Sequence, residues 1–309
     1  MTVSLRIPLR RPSLAGYDTL PTAPGPIGSA VHGVFLGTSS VILRDARTTL
    51  LVDGFVTRPG LIRLVLGRIA PDHTLIDECL ARAGVDALDA VLCAHSHFDH
   101  ALDAPIVAQK FDAPVVGSES TANIARGYGV PDRLIRSVGG DAELRFGDFV
   151  VTLVAGLHSP GDVAPGTVDA PLVPPARARE WRTGEAYSIF FRHPRGSVLV
   201  HASANHVPGR LDGHRADVVY LGIGTLGRQS ARFRAEYWRE VVRATGAHTV
   251  IPVHWDDFTR PLRLPLRPLP YPIDDVPAAM GFLLEQGRRD GVRVLVPEPW
   301  GAAELLPGI

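Results

Sequence analysis

The chain has 309 residues, 45% of them hydrophobic and 21% charged, an ordinary balance for a globular protein that can build a large core without disulfide or metal staples. Acidic and basic residues number 32 each, and a neutral chain gives no reason to expect a polyanionic partner. No run approaches the roughly 20 apolar residues of a membrane span, and Cys79 and Cys93 form no C-x-x-C pair, which fits a reducing, cytoplasmic setting.

Residues 1–30 are rich in Pro, Gly and Arg without periodicity and are expected to form an arm. The rest, 31–309, is expected to be a single catalytic domain. Val31–Leu36, Ser40–Arg44 and Thr49–Val52 are short β-type runs separated by turn residues, and Asp53-Gly54 closes this meander. Helical spacing follows over 61–70 and 72–83, with Pro71 between and Gly84 as a stop. Ala90–Ala94 is a continuous apolar run that ends on His95, as a buried strand does. A helix is expected over 101–111, a strand over 114–117 and a helix over 119–126.

In the second half, strands are expected at 149–155, 186–192, 197–201, 218–222, 249–252 and 292–296, with helices at 229–245 and 277–287. Two proline-dense stretches, 160–183 and 261–272, read as loops: lids over a site or tolerated surface insertions. Mixed strand and helix order with no internal repeat suggests a layered α/β domain. Arginine supplies nearly all the positive charge, with Lys110 the single lysine, which reads as codon bias in a GC-rich genome.

The chemistry concentrates in His95-Ser96-His97-Phe98-Asp99-His100, four ligand-type residues in six. On extended backbone His95 and His97 point to one side. Asp99 and His100 come as the chain turns into the next helix and can face a neighbouring point. One segment could thus serve two metals. Imidazole and carboxylate without thiolate suit zinc, with iron or manganese as alternatives. His158 and His254 also follow strands, where α/β sites usually gather. Trp255, Phe258 and Tyr271, after the last histidine, are expected either to line the pocket mouth or to pack a proline-rich loop. No Gly-x-Ser-x-Gly elbow indicates a serine nucleophile. Nor is there the basic run or aromatic-basic interleaving of a nucleic-acid binder.

The His95–His100 cluster, Asp53 at a strand end, His158 and His254 together resemble the metallo-β-lactamase superfamily over about residues 31–296. The Pro-Val-His-Trp segment around His254 is similar to the branch of ascorbate-phosphate lactonases and N-acyl-phosphatidylethanolamine phospholipases D. The resemblance implies an αββα sandwich with the site at one edge of its two sheets. It implies one or two Zn²⁺ ions, with Mn²⁺ or Fe²⁺ as alternatives. His95, His97 and His158 would hold the first metal; Asp99, His100 and His254 would hold the second. Asp53 would orient a ligand histidine. The implied activity is hydrolysis of a small-molecule lactone, ester, amide or phosphodiester by metal-activated water, with Asp99 holding the nucleophile and passing on a proton. Many relatives form homo-oligomers.

One departure stands out. Where the family usually carries a metal-bridging aspartate, this chain aligns Ser203. A second metal should bind more weakly, unless His201, His206 or Asp162 compensates; each reads first as a loop or surface residue. Two other function classes remain: an iron-dependent thiol-dioxygenase-like oxidoreductase on the same fold, and a catalytically impaired metal-binding scaffold.

Overall fold

The computed structural model describes residues 11–22, 30–271 and 273–308. Its first half opens with β1 (Val31–Gly37), β2 (Ser40–Arg44) and β3 (Thr49–Val52), then α1 (Leu61–Leu66), α2 (His73–Arg82) and β4 (Ala90–Leu92). Next come α3 (Phe98–Ala101), α4 (Ala104–Phe111), β5 (Val115–Gly117), α5 (Glu119–Gly127), β6 (Ile135–Ser137), β7 (Ala142–Phe146) and β8 (Phe149–Gly156). The second half holds β9 (Ala186–His193), β10 (Gly196–His201), β11 (Val218–Gly222), α6 (Ala231–Tyr237), β12 (Thr249–Val253), α7 (Val276–Asp290), β13 (Arg293–Val294) and β14 (Ala302–Leu306).

Two seven-stranded sheets result, ordered β14-β1-β2-β3-β4-β5-β6 and β13-β12-β11-β10-β9-β8-β7. Side-chain alternation explains how they stack. Val41, Leu43, Leu50, Val52 and Leu92 join the core shared with the second sheet, while Ile42, Leu51, Val91 and Cys93 face α2, α4 and α5. Tyr237, Trp238, Met280 and Leu283 bring α6 and α7 into the shared core cluster. This is the expected αββα sandwich.

Strand direction places the functional edge. β3, β4, β5 and β6 run parallel, as do β10, β11, β12 and β13; β8 has the sense of β10 because both pair antiparallel with β9. The segments that follow β3, β4, β8, β10, β11 and β12 therefore leave from one edge of their sheets.

Several elements differ from expectation. The helix expected over 61–70 ends at Leu66; Gly67 breaks it, and Ile69 pairs with Ala176 instead. The helix over 101–111 is split into α3 and α4 around Leu102-Asp103. The Asp103 carboxylate accepts from the Val56 and Thr57 N–H groups and from the Thr57 hydroxyl, pinning the chain after β3. α6 starts at its Ser230 cap, whose hydroxyl accepts from Phe233 N–H, and continues as a π-helical turn over Trp238–Arg243. β6, β7 and β14 were not expected.

The expected arm lies partly outside the described residues. Within them, Leu20 is buried and donates its N–H to Val296 O, and Arg11 pairs with Asp257 at 2.6 Å. The 160–183 loop is tied down: Asn123 donates to Val168 O, Leu172 N–H to Asn123 O, and Ile69 exchanges backbone hydrogen bonds with Ala176. Among the described residues no helix is long and apolar enough to cross a membrane.

Candidate metal centre

The six residues expected as ligands meet at the edge where the strand ends gather. Their ligand atoms form two groups, each within 4.8 Å: His95, His97 and His158, and Asp99, His100 and His254. The chain leaving β4 brings His95 and His97 into the first group, with His97 itself in extended backbone. His97 is the N-cap of α3, whose first turn swings Asp99 and His100 into the second. The rings of His95 and His100 lie 3.7 Å apart, so the two groups share a wall.

Burial without partners is the notable property of these imidazoles. Both ring nitrogens of His95, Nε2 of His100 and Nδ1 of His158 are buried and accept or donate no hydrogen bond. Leaving a buried polar group unsatisfied costs about 1–3 kcal/mol, so the cluster fits a cation-binding role better than a structural one. Burial, reinforced by the neighbouring histidines, drives the His95 pKa well below normal. Burial also lowers His97, and lowers His158 to about 4. Groups titrating below their usual range are neutral at pH 7 and present lone pairs, the form a metal needs.

Outer partners orient the rings. The Asp53 carboxylate lies 2.7 Å from His100 Nδ1 and also accepts from Ser39 Oγ and from Ala94 N–H. A carboxylate only accepts, so Nδ1 carries the proton and Nε2 faces the second group. His100 is fully buried, which pulls its pKa down, but Asp53 and Asp99 outweigh burial and raise it. Burial pushes the Asp99 carboxyl up, and His100, His254 and His97 outweigh that and hold it far down as a carboxylate. Asp99 Oδ2 lies 3.2 Å from His254 Nε2. Asp53→Asn should preserve packing but lose the fixed tautomer; metal affinity in the second group is expected to fall about 10–100-fold, measured by competitive chelator titration.

Asp162 is the residue that sequence reasoning undervalued. His97 Nε2 faces Thr183 Oγ1 at 3.0 Å, Asp162 Oδ1 at 3.2 Å and the Ala164 carbonyl at 3.3 Å. The Thr183 hydroxyl donates to Asp162. All three are acceptors for the His97 ring N–H, which leaves Nδ1 for the first group. Asp162 thus buttresses His97 as Asp53 does His100. His201 does not compensate for Ser203: its nitrogens are taken by Ser188 Oγ and the Asn205 carbonyl. His206 lies beside Glu236 and against Phe233. Ser203 itself is buried and lines the cavity over the two groups.

The cavity holds about 510 Å³. Phe258 lines it. Trp255 and Tyr271 do not: the Trp255 indole N–H donates to Pro252 O and its ring packs on Phe35, while Tyr271 is buried outside the lining. The two stretches read as loops supply walls, Val163, Ala178 and Trp181 from one and Leu269 from the other; Pro272 of the second stretch lies outside the described residues.

Backbone strain concentrates beside the second group. Thr38, Asp53, Arg58, Thr225 and His254 all have positive φ, a conformation costly for side chains other than Gly and one that a surrounding network must enforce. That network is visible. His254 N–H donates to Thr38 O at 2.6 Å, and Thr38 N–H donates to Asp256 Oδ1. Asp256 forms a fully buried ion pair with Arg58 at 2.6 Å, and Arg58 also reaches Thr38 Oγ1. Gly37 makes room: a Cβ there would stand 2.1 Å from Arg58 Nη2. Arg58 carried no signal in the sequence.

A family model described as "Metallo-beta-lactamase superfamily" matches residues 33–257. A protein of Myxococcus xanthus (strain DK1622), described as "UPF0173 metal-dependent hydrolase", is 30% identical over 233 residues, covering 72% of this chain and 70% of its own length. Among solved structures, Igni18, a metallo hydrolase from Ignicoccus hospitalis, superposes with a TM-score of 0.58 at 15% identity over 89% of this chain and 99% of its own. CmlA, a diiron β-hydroxylase from Streptomyces venezuelae, superposes with a TM-score of 0.55 at 18% identity over 92% of this chain and 55% of its own. These likenesses show the fold.

Proposed function

The chain belongs to the metallo-beta-lactamase superfamily, and from that premise we propose that this metal-dependent hydrolase holds one or two zinc ions, or Mn²⁺ or Fe²⁺ in their place, and cleaves a lactone, carboxylic ester or amide, or phosphodiester. The observation that supports it most is the set of buried imidazole nitrogens without hydrogen-bond partners, gathered beside an ionised Asp99. His95, His97 and His158 would hold the first metal; Asp99, His100 and His254 would hold the second. When bound, such a cation lowers the pKa of water toward neutrality and polarises the oxygen of the bond under attack.

The protein's own groups do the rest. Asp99 is held as a carboxylate, so it accepts a hydrogen bond from the attacking water and fixes its direction. Water adds to the carbonyl carbon or phosphorus, the bond to the leaving oxygen or nitrogen breaks, and the water's proton travels by way of Asp99 to that leaving atom. Ser203 adds no negative charge to the cavity beside the two groups, so a second metal would be held more weakly than a first. Buried, unpaired Cys79 and Cys93 support a cytoplasmic setting.

Removing metal with a chelator should abolish hydrolysis across a panel of chromogenic esters, lactones and phosphodiesters, and zinc should restore it. Hydrolysis that persists in metal-free protein would overturn the proposal. Oxygen consumption by iron-loaded protein, without hydrolysis by the zinc form, would move the chain to the oxidoreductase class.

A further inference from the structure

The cavity wall is apolar well beyond the metal-facing groups. Leu64 and Val65 of α1, Val163, Trp181, Leu269 and Ile273 line it. Apart from Asp99, the one lining side chain of fixed charge is Arg179, which is exposed. The apolar surface continues outward: Leu61, Ile62, Val65 and Leu66 are 59–83% exposed and Val163 is 91% exposed. α1 has five apolar residues in six and buries none of them. Only Leu64 packs, half-buried, against the core; core packing does not account for the other four, and a patch of this kind marks a binding surface.

Resting on the hydrolase reading, we propose that the substrate carries a long apolar chain that lies in this cavity. Its scissile ester, amide or lactone carbonyl sits at the two histidine groups, and its tail leaves past α1 and Val163. Three observations favour this occupant. The cavity opens onto the ligand groups, so a substrate must pass along it. Its volume is of the size that encloses a small organic ligand. Its wall rewards methylene groups by up to about fourfold in affinity each and offers a multiply charged substrate a single side chain of fixed positive charge, Arg179.

The test uses alkyl hydroxamates of two to ten carbons, whose head groups bind metal while the chain samples the wall. Calorimetry on zinc-loaded protein should show affinity rising with each added methylene over most of the series. In metal-free protein, decanoate should displace a naphthalene-sulfonate dye far better than acetate does. Val65→Asp, at an exposed position that tolerates substitution, should keep the bound zinc and collapse the ratio of eight-carbon to two-carbon affinity at least about tenfold. Affinity flat with chain length in both assays would overturn the inference and leave the hydrolase reading intact. Failure to bind metal, with decanoate still preferred, would sink the hydrolase reading and keep the apolar cavity. A Val65→Asp variant that changes oligomeric state without altering the chain-length series would assign α1 to a second copy and overturn the inference.

Discussion

His95→Ala is expected to strip metal from the first histidine group and lower hydrolysis by at least about 10³-fold, while leaving the metal-free protein within about 1 kcal/mol of its original stability. The two halves of this expectation have one cause. His95 is buried with neither ring nitrogen hydrogen-bonded, so the folded chain gains nothing polar from the ring until a cation arrives. Its lowered pKa removes charge repulsion from the account: the ring is neutral and simply unsatisfied. His201 is the control. It is equally at home in the core, but Ser188 and Asn205 satisfy both nitrogens. His201→Ala should leave metal content unchanged and cost about 1–3 kcal/mol by stranding those partners. Metal analysis by mass spectrometry and urea unfolding of metal-free samples separate the two. Equal stability losses for both variants would make His95 a structural residue.

Asp256→Ala should be the most destabilising single change near the site, at about 3–5 kcal/mol, because it leaves the Arg58 guanidinium charged and buried with no carboxylate. The loss has a functional half as well. Asp256 holds Thr38 N–H, and Thr38 O holds the backbone of His254 in its left-handed conformation. Released, His254 should relax away from Asp99 and weaken the second group, with the first group little changed. Replacing the pair together, Arg58→Met with Asp256→Leu, removes both charges and should recover most of the stability. It cannot restore the acceptor for Thr38 N–H, so second-metal affinity should stay low. A double variant that recovers both stability and second-metal affinity would show that the pair acts through charge alone.

What the sequence made legible follows from the range of the forces involved. The His95–His100 segment announces itself because its ligands are consecutive and the apolar strand before them fixes which way they point. The inner strands were legible for the same reason: continuous apolar runs such as Val218-Val219-Tyr220-Leu221 leave few alternatives. β14 was hidden by its own composition, since Ala-Ala-Glu-Leu-Leu favours helix and becomes a strand only because β1 offers it an edge. β7 does alternate, with Leu144 and Phe146 more buried than Glu143 and Arg145, but five residues between turns gave weak periodicity. Asp162 and Arg58 were illegible for a deeper reason. A carboxylate 65 residues from its imidazole, or an arginine whose partner lies 198 positions away, is positioned by the folded sheets and by nothing local. Trp255 took the packing alternative: its ring sits in the core against Phe35.

The pairing of β14 with β1 has a bearing on how the chain is made. β1 emerges early in synthesis, yet one of its two edges stays open until residues 302–306 have left the ribosome. For most of translation the nascent protein therefore displays an unpaired, fully buried-type strand, Val31–Gly37, to any neighbouring chain. The first sheet cannot be completed before residues 302–306 have been made. Shortening the chain before β14 should be felt first as aggregation during expression, with the histidine groups themselves untouched.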